Sequence, residues 1–120
     1  MKDINDIRID NNFILSEFQC PCCGRVILHS KLLKYLVKLR RLIQEPIYIN
    51  SGYRCKEEND KVGGTKNSYH TYGMAADITV KTKSMHDLAI LAESVGFKGI
   101  GLYGNFLHLD VRDYLEHWEG

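Results

Sequence analysis

The sequence predicts an α+β domain in which a small antiparallel sheet is flanked by helices. Two segments, residues 30–44 and 85–95, repeat their apolar side chains every three or four residues, as amphipathic helices do. Short apolar segments with strand character lie between and after them, and two of these meet at Gly104-Asn105, a dipeptide suited to a hairpin turn. Helices and antiparallel strands within one short chain indicate the α+β class.

The composition indicates one globular domain and excludes some partners. The 120 residues are enough for a single modest core, and 44% hydrophobic with 26% charged residues is typical of globular proteins. A net charge of +1 provides no electrostatic basis for binding nucleic acid, and no apolar run approaches the roughly 20 residues that span a bilayer. We therefore expect a single domain over residues 1–120, acting as a monomer, without nucleic-acid partner or membrane insertion.

The N-terminal residues predict an arm and an anchor before the first helix. Residues 1–12 predict an extended or loosely packed arm, and residues 13–18 (FILSEF) predict an anchoring segment. Pro21 and Gly24 then make residues 20–24 a turn-rich loop. Because the chain begins with acidic and polar residues where a secretion signal would be apolar, we expect it to be cytoplasmic as synthesised.

The first helix is predicted from Ser30 to about Gln44. Its leucine and isoleucine side chains fall on one face and its basic side chains on the other. Residues 47–50 (IYIN) follow as a short strand. Residues 51–70 then form a long connection with about one helical turn near residues 56–61, and a loop of this length in a compact domain usually has a function.

The second half of the chain predicts a strand, a helix and a hairpin. Residues 74–80 predict the strand, and Ser84 opens an S-x-x-D start signal for a helix that ends at Gly96. The segments KGIGLY and NFLHLDVR predict two antiparallel strands joined at the hairpin turn. The tail DYLEHWEG is expected to fold back on the domain through Tyr114 and Trp118.

Four cysteines leave three chemical states open. Cys20, Cys22 and Cys23 lie together in QCPCCGR, and Cys55 is the fourth. A structural zinc site usually adds a second closely spaced pair, and because Cys55 stands alone a metal site here needs an unusual geometry. A disulfide to Cys55 and free thiols in a reducing cytoplasm are the other two states.

Alternate residues of FLHLDVR face opposite sides of a strand. His108, Asp110 and Arg112 therefore share one face with Phe106, while the aliphatic residues between them face the core. A strand of this kind is suited to form one side of a binding cleft. A half-exposed strand that turns its polar residues to water fits the same pattern.

A second polar fragment, SYHTYGMAADI, contains His70 and Asp77. Imidazole and carboxylate are both good zinc ligands, and Gly73 lets the chain turn so that these two side chains converge. Three protein ligands with one open position are the catalytic arrangement of zinc. If this fragment and the strand FLHLDVR share one ion, the imidazoles of His70 and His108 must lie within about 5 Å, because each bond to zinc is about 2 Å long. The alternative is a loop histidine and an aspartate that share no site.

Four motifs together resemble one enzyme family. Residues 68–77 (SYHTYGMAAD) resemble the S-x-H-x-x-G-x-A-x-D signature of the zinc D-Ala-D-Ala carboxypeptidase family, whose fold is similar to that of the hedgehog signalling domain. Residues 51–54 (SGYR) resemble its S-G-Y-R segment. Residues 99–103 (GIGLY) and 106–112 (FLHLDVR) resemble its closing G-x-G-x-Y and H-x-D strand. The segments occur in the family's order, so the resemblance implies a hedgehog/DD-peptidase-like fold over nearly the whole chain.

The resemblance implies a zinc ion held by His70, Asp77 and His108. The ion would lower the pKa of a bound water to about 7, and the resulting hydroxide would attack an amide carbonyl in a peptidoglycan stem peptide. Arg54, from the S-G-Y-R segment, would stabilise the tetrahedral oxyanion or hold a substrate carboxylate, since guanidinium can donate two parallel hydrogen bonds. A surface salt bridge is the alternative for Arg54.

Ser68 and Tyr103 are the predicted substrate-binding residues. Ser68 would form hydrogen bonds near the site and hold the loop that carries His70, although a plain turn serine fits too. Tyr103 would line a peptide groove together with Tyr69, although aromatic residues near a cleft often serve only packing.

The general base is where the sequence departs from the family. Several relatives of this fold have a glutamate or histidine just before the last zinc ligand, and here GIGLYGNFL contains neither. By elimination Asp110 is predicted to accept the proton, with orientation of an imidazole as its alternative role. The reverse assignment, in which Asp110 binds zinc and His108 moves protons, stays open, although imidazole is the better zinc ligand.

The predicted function is a zinc metallopeptidase with one catalytic Zn²⁺ that hydrolyses peptidoglycan stem peptides or cross-links, as a carboxypeptidase or an endopeptidase. We expect the enzyme to act on the cell wall after release at lysis, as a phage-type lysin, or as part of a virion. A non-catalytic, zinc-containing module that binds peptides or cell wall is the main alternative. A third hypothesis is an interaction protein organised by a cysteine–zinc cluster.

Overall fold

The computed structural model describes residues 4–120. Residues 1–3, with which the predicted N-terminal arm begins, lie outside the described residues. The helices are α1 (Ser30–Ile43), α2 (Lys56–Lys61) and α3 (Met85–Val95). The strands are β1 (Arg8–Asp10), β2 (Phe13–Ile14), β3 (Tyr48–Ser51), β4 (Ala75–Thr79), β5 (Gly99–Leu102), β6 (Leu107–Asp110) and β7 (Glu116–Glu119). The predicted α+β class is therefore confirmed.

A five-stranded sheet with the strand order β3-β4-β6-β5-β7 forms the centre of the domain. The first four strands of this order pair antiparallel, as the sequence predicts, and β5 with β6 is the predicted hairpin. The fifth strand, β7, adds to the edge of β5 in the parallel direction. The sequence predicts only that the tail folds back, because three of the four residues of β7 are charged or histidine and do not alternate with apolar ones.

The two faces of the sheet have different roles because side chains alternate along each strand. Ile78, Leu107 and Leu109 are fully buried and pack with the apolar faces of α1 and α3. Fully burying a side chain of this size contributes about 1.5–3 kcal/mol. The intervening residues of β4 and β6 point to the opposite face, and this face carries the polar constellation.

The N-terminal segment packs beside the sheet. A 3-10 turn covers Ile4–Asp6, and β1 pairs antiparallel with β2. Phe13 and Phe18, the ends of the predicted anchoring segment, are fully buried with their ring centroids 6.0 Å apart. The peptide N–H of Tyr53 donates to the carbonyl of Phe18 at 2.8 Å, so this segment also braces the chain just after β3.

No helix among residues 4–120 is both long enough and apolar enough to cross a membrane.

Candidate metal centre

Three side chains from distant parts of the chain meet at one point. His70 lies in a 3-10 turn (Tyr69–Tyr72), whereas Asp77 and His108 are register partners on the adjacent strands β4 and β6. Gly73 ends the turn with φ of 70°, the left-handed conformation that favours glycine. One ligand atom from each of the three side chains lies within 4.8 Å of the others. The two imidazole centroids are 5.1 Å apart, close to the separation of about 5 Å that the hypothesis requires.

The tautomers of both histidines follow from their hydrogen bonds. Nδ1 of His70 lies 2.7 Å from the carbonyl oxygen of Gly52, and because a carbonyl only accepts, Nδ1 carries the proton. Nε2 of His108 lies 2.7 Å from Oδ2 of the Asp110 carboxylate and is protonated for the same reason. In the neutral imidazole rings, Nε2 of His70 and Nδ1 of His108 therefore present lone pairs.

These lone pairs fit a bound cation. Each of the two nitrogens lies 3.1 Å from Oδ1 of Asp77, so three acceptor atoms face one another in a buried place. Acceptors at this distance repel unless a proton or a cation lies between them. Two imidazoles and one carboxylate are a zinc-binding set, and histidine ligands that donate their other N–H to a carbonyl or carboxylate are the usual arrangement around such an ion. His70, Asp77 and His108 therefore fit a metal ion.

Neighbouring polar and charged groups keep Asp77 and Asp110 ionised. Burial raises the pKa of Asp77, but the contacts with His108 and His70 outweigh burial and hold this pKa well below its usual range. Burial likewise raises the pKa of Asp110, and Arg112 with His108 lowers it to about 2. For His108, burial lowers the pKa, while Asp110 and Asp77 raise it above the ordinary value. At neutral pH both carboxylates are therefore charged.

Asp110 lies beside Nε2 of His108, the imidazole nitrogen that faces away from Asp77. Its side chain is fully buried, and Nε and Nη2 of Arg112 donate to its two oxygens at 2.8 and 2.7 Å. The guanidinium of Arg112 is in turn packed against the rings of Tyr69 and Trp118. Of the three roles that the sequence left open for Asp110, namely proton acceptor, zinc ligand and partner of an imidazole, this position favours orientation of His108.

Arg54 lies at the edge of the centre and is mostly buried. Its Nη2 donates to Oδ2 of Asp77 at 3.0 Å, which leaves Oδ1 of that carboxylate for the convergence point. Its Nε donates to the hydroxyl of Ser51 at 3.0 Å. The alternative of a surface salt bridge does not describe this arrangement, because the ion pair is buried against the candidate ligand.

A cleft of about 460 Å³ opens above the three ligands. Ser68 and Tyr103, the predicted substrate-binding residues, both line it. The hydroxyl of Ser68 accepts from the peptide N–H of His70 at 3.3 Å and so holds the turn in place. Tyr103 stacks on Phe106 with ring centroids 4.5 Å apart, forming an aromatic wall.

The last strand, β7, contributes two cleft residues that the sequence did not indicate as site residues. Glu116 and Trp118 occupy alternate positions of β7, so both face the cleft. The Trp118 ring lies over His108, with centroids 5.1 Å apart, and its Nε1 donates to the hydroxyl of Tyr103 at 2.9 Å. A Cβ on Gly101 would come within 2.5 Å of this indole, so glycine is required there. The only sequence signal was the spacing E-x-W in the tail.

Comparison with known proteins identifies a family for this chain. The family model described as Peptidase M15 matches residues 11–110, which include all three candidate ligands. The chain is 31% identical over 96 residues to the peptidoglycan L,D-endopeptidase MepK of Escherichia coli (strain K12), covering 72% of this chain and 52% of that protein. MepK of Shigella flexneri has the same identity and coverage.

A zinc D-Ala-D-Ala carboxypeptidase of Streptomyces albus G is 41% identical over 56 residues, which is 47% of this chain and 22% of that protein. The chain thus spans about half the length of the MepK relatives and about a fifth of the carboxypeptidase. The family resemblance inferred from the four motifs is confirmed. Because the family model covers most of the chain and includes the residues that converge in the cleft, this protein belongs to the Peptidase M15 family.

Proposed function

We propose that this domain is a zinc-dependent peptidase that hydrolyses peptide bonds in the stem peptides or cross-links of bacterial peptidoglycan. The convergence of His70, Asp77 and His108 at the floor of a cleft is the observation that carries the proposal. The substrate class is supported by relatives named as a peptidoglycan L,D-endopeptidase and a D-Ala-D-Ala carboxypeptidase.

The three ligands would hold zinc through Nε2 of His70, Nδ1 of His108 and a carboxylate oxygen of Asp77. A zinc ion held by three protein ligands supplies a Lewis acid that activates water near neutral pH and polarises a carbonyl. Asp110 and Arg112 act through His108, because they keep its Nε2 protonated and its ring oriented.

Arg54 is proposed to bind negative charge on the substrate. It lines the cleft, and its attachment to Asp77 and Ser51 holds the guanidinium in one orientation. A guanidinium fixed at the edge of the site can donate to the oxyanion that develops during attack, or to the terminal carboxylate of a peptide. Ser68 and Tyr103 are proposed to contact the peptide itself.

Glu116 is proposed as the proton acceptor. Among the described residues that line the cleft, Asp77 and Glu116 are the two that carry carboxylates, and Asp77 is engaged by both histidines and Arg54. Asp110, the residue that sequence analysis reached by elimination, has both oxygens occupied by Arg112 and His108 and does not line the cleft. A general base must reach the proton it removes, which favours Glu116.

Replacing Glu116 with glutamine is expected to lower kcat by about 10²–10⁴-fold while leaving zinc content unchanged, because general-base catalysis contributes that range. Hydrolysis of a soluble stem peptide and metal analysis of the same sample measure the two quantities. Glu119→Gln is the matched control, since Glu119 lies on the same strand, is exposed and does not line the cleft. Equal activity of the two variants would remove Glu116 from the mechanism.

Replacing Asp110 with asparagine is expected to weaken zinc binding by about 10–100-fold, because the amide no longer polarises the His108 imidazole. Titration against a zinc chelator measures the affinity. A positioning role predicts that saturating zinc restores most of the activity, whereas loss of a general base would persist at any zinc concentration. Asp113→Asn, on the exposed tail, is the control for a change of charge alone.

The proposed activity as a whole is tested by incubating zinc-loaded protein with purified peptidoglycan and analysing released fragments by mass. Release of single D-alanine assigns a carboxypeptidase, and opened cross-links or larger peptide fragments assign an endopeptidase. The chelated protein should release nothing until zinc is restored. Zinc-loaded, folded protein that releases no fragment would instead support the non-catalytic binding module.

A further inference from the structure

A second cluster of metal-binding side chains lies outside the cleft. The Sγ atoms of Cys20, Cys23 and Cys55 all lie within 4.8 Å of one another, and those of Cys20 and Cys55 are 3.6 Å apart. Cys20 and Cys55 are buried although 35 positions separate them in the chain. Two thiolates bound to one tetrahedral zinc lie about 3.8 Å apart, since each Zn–S bond is about 2.3 Å. The thiols of Cys20 and Cys55 therefore already have the spacing of a shared zinc ion, and the thiol of Cys23 lies close to both.

The loop that carries Cys20 and Cys23 is closed by its own backbone. The peptide N–H of Cys20 donates to the carbonyl of Arg25 at 2.8 Å, and that of Gly24 donates to the carbonyl of Cys20 at 2.9 Å. Gly24 has φ of 72°, so it adopts the left-handed turn. Two residues separate the cysteines, which is within the usual spacing of a zinc-binding pair. The loop thus brings two thiols within 4.8 Å of the thiol of Cys55.

Backbone N–H groups donate hydrogen bonds to two of the three sulfur atoms. The N–H of Cys55 donates to Sγ of Cys20 at 3.4 Å, and the N–H of Glu58 donates to Sγ of Cys55 at 3.5 Å. Hydrogen bonds of this kind stabilise the negative charge of a thiolate, the form that binds metals. The backbone already provides these hydrogen bonds in its present conformation.

We propose that Cys20, Cys23 and Cys55 bind a second, structural zinc ion. Binding displaces the three thiol protons to solvent and leaves one coordination position, which water or the exposed thiol of Cys22 fills. Cys22 does not belong to the cluster of three, so it is not a required ligand.

This zinc would tie the N-terminal segment to the chain that supports the first site. Cys55 directly follows Arg54, whose peptide N–H donates to the carbonyl of His70 at 3.1 Å, and Gly52 in the same segment supplies the carbonyl that orients His70. Cys20 follows the anchoring segment that ends at Phe18. The thiolate site would therefore link these two segments, and its own metal content does not depend on peptidase activity.

Metal analysis of protein purified under reducing conditions tests this proposal. The unmutated chain and Cys22→Ser are expected to hold two zinc ions, and Cys55→Ser and His108→Ala one each. After cobalt substitution, the sulfur-to-cobalt charge-transfer absorption should persist in His108→Ala and disappear in Cys55→Ser. In the unmutated protein a thiol-specific mercurial should release one zinc, a measurement that does not require any variant to fold.

Three results would overturn the thiolate site. One is a zinc content that Cys55→Ser leaves unchanged, another is no zinc release by the mercurial, and the third is an intact mass lower by two hydrogens, which indicates a Cys20–Cys55 disulfide. Loss of zinc from His108→Ala alone concerns the first site, so the two proposals fail separately.

Discussion

Replacing His70 with alanine is expected to remove the zinc of the cleft and to lower hydrolysis at least about 1,000-fold. The Lewis acid contributes several kcal/mol of transition-state stabilisation, and about 1.4 kcal/mol is a factor of ten in rate. His70 contributes one of the three converging ligand atoms, and the remaining two cannot retain the ion against a moderate chelator. Zinc content, rate of stem-peptide cleavage and thermal unfolding should be measured on one preparation.

His86→Ala is the matched control for this variant. His86 is exposed on α3 and does not line the cleft, so zinc content and rate should stay at the level of the unmutated protein. Full activity in His70→Ala would refute the site. If His70→Ala lost activity while retaining all its zinc, His70 would have a catalytic role other than metal binding.

Replacing Gly52 with alanine is expected to destabilise the domain by about 3 kcal/mol, equivalent to a decrease in Tm of roughly 10 °C. A Cβ at this position would lie 2.6 Å from Cα and 2.8 Å from the carbonyl oxygen of Phe18. Both are backbone atoms of the anchoring segment, and they cannot move aside as a flexible side chain would. Because the Gly52 carbonyl orients His70, zinc affinity should fall together with stability.

Gly104→Ala is the control for adding a methyl group. Gly104 lies in the β5–β6 hairpin turn, no atom lies within 4 Å of an added Cβ, and its φ is not in the left-handed region. The Tm of the Gly104→Ala protein should change by less than about 2 °C, because a surface substitution usually changes the free energy of unfolding by at most about 0.5 kcal/mol. A Gly52→Ala protein with unchanged Tm would show that the segment containing Phe18 can move away.

Local sequence patterns were enough for most of the elements. The apolar periodicity of the segment from Ser30 predicted α1 to within one residue of its end at Ile43, and Ser84 and Gly96 bracket α3 as predicted. These signals are local, because a helix is specified by side chains one turn apart and by the residues that end it. The tail was the exception, since β7 is stabilised by pairing with β5 and by the Trp118 ring over the cleft.

The candidate site was predictable only in part. Alternation along FLHLDVR placed His108 and Asp110 on one face, and the structure agrees, with both side chains bonded to each other. Their separate roles depend on the other neighbour of each residue. Asp77 lies beside Nδ1 of His108, and Arg112 donates a hydrogen bond to Asp110. Alternation placed Arg112 on the same face as Asp110, but spacing could not assign the contact between Asp77 and His108. The roles of these residues in catalysis remain predictions.

By itself, the sequence determined the α+β class, the family and the set of residues from which a metal ligand could come. Helix periodicity, strand alternation and motif order all act within short stretches of chain, so they can be recognised without coordinates. Only the tertiary structure decided that Glu116 enters the cleft, that Asp110 lies behind His108, and that Cys55 meets Cys20. Each of these contacts joins segments brought together by sheet register and core packing, which depend on the whole chain at once.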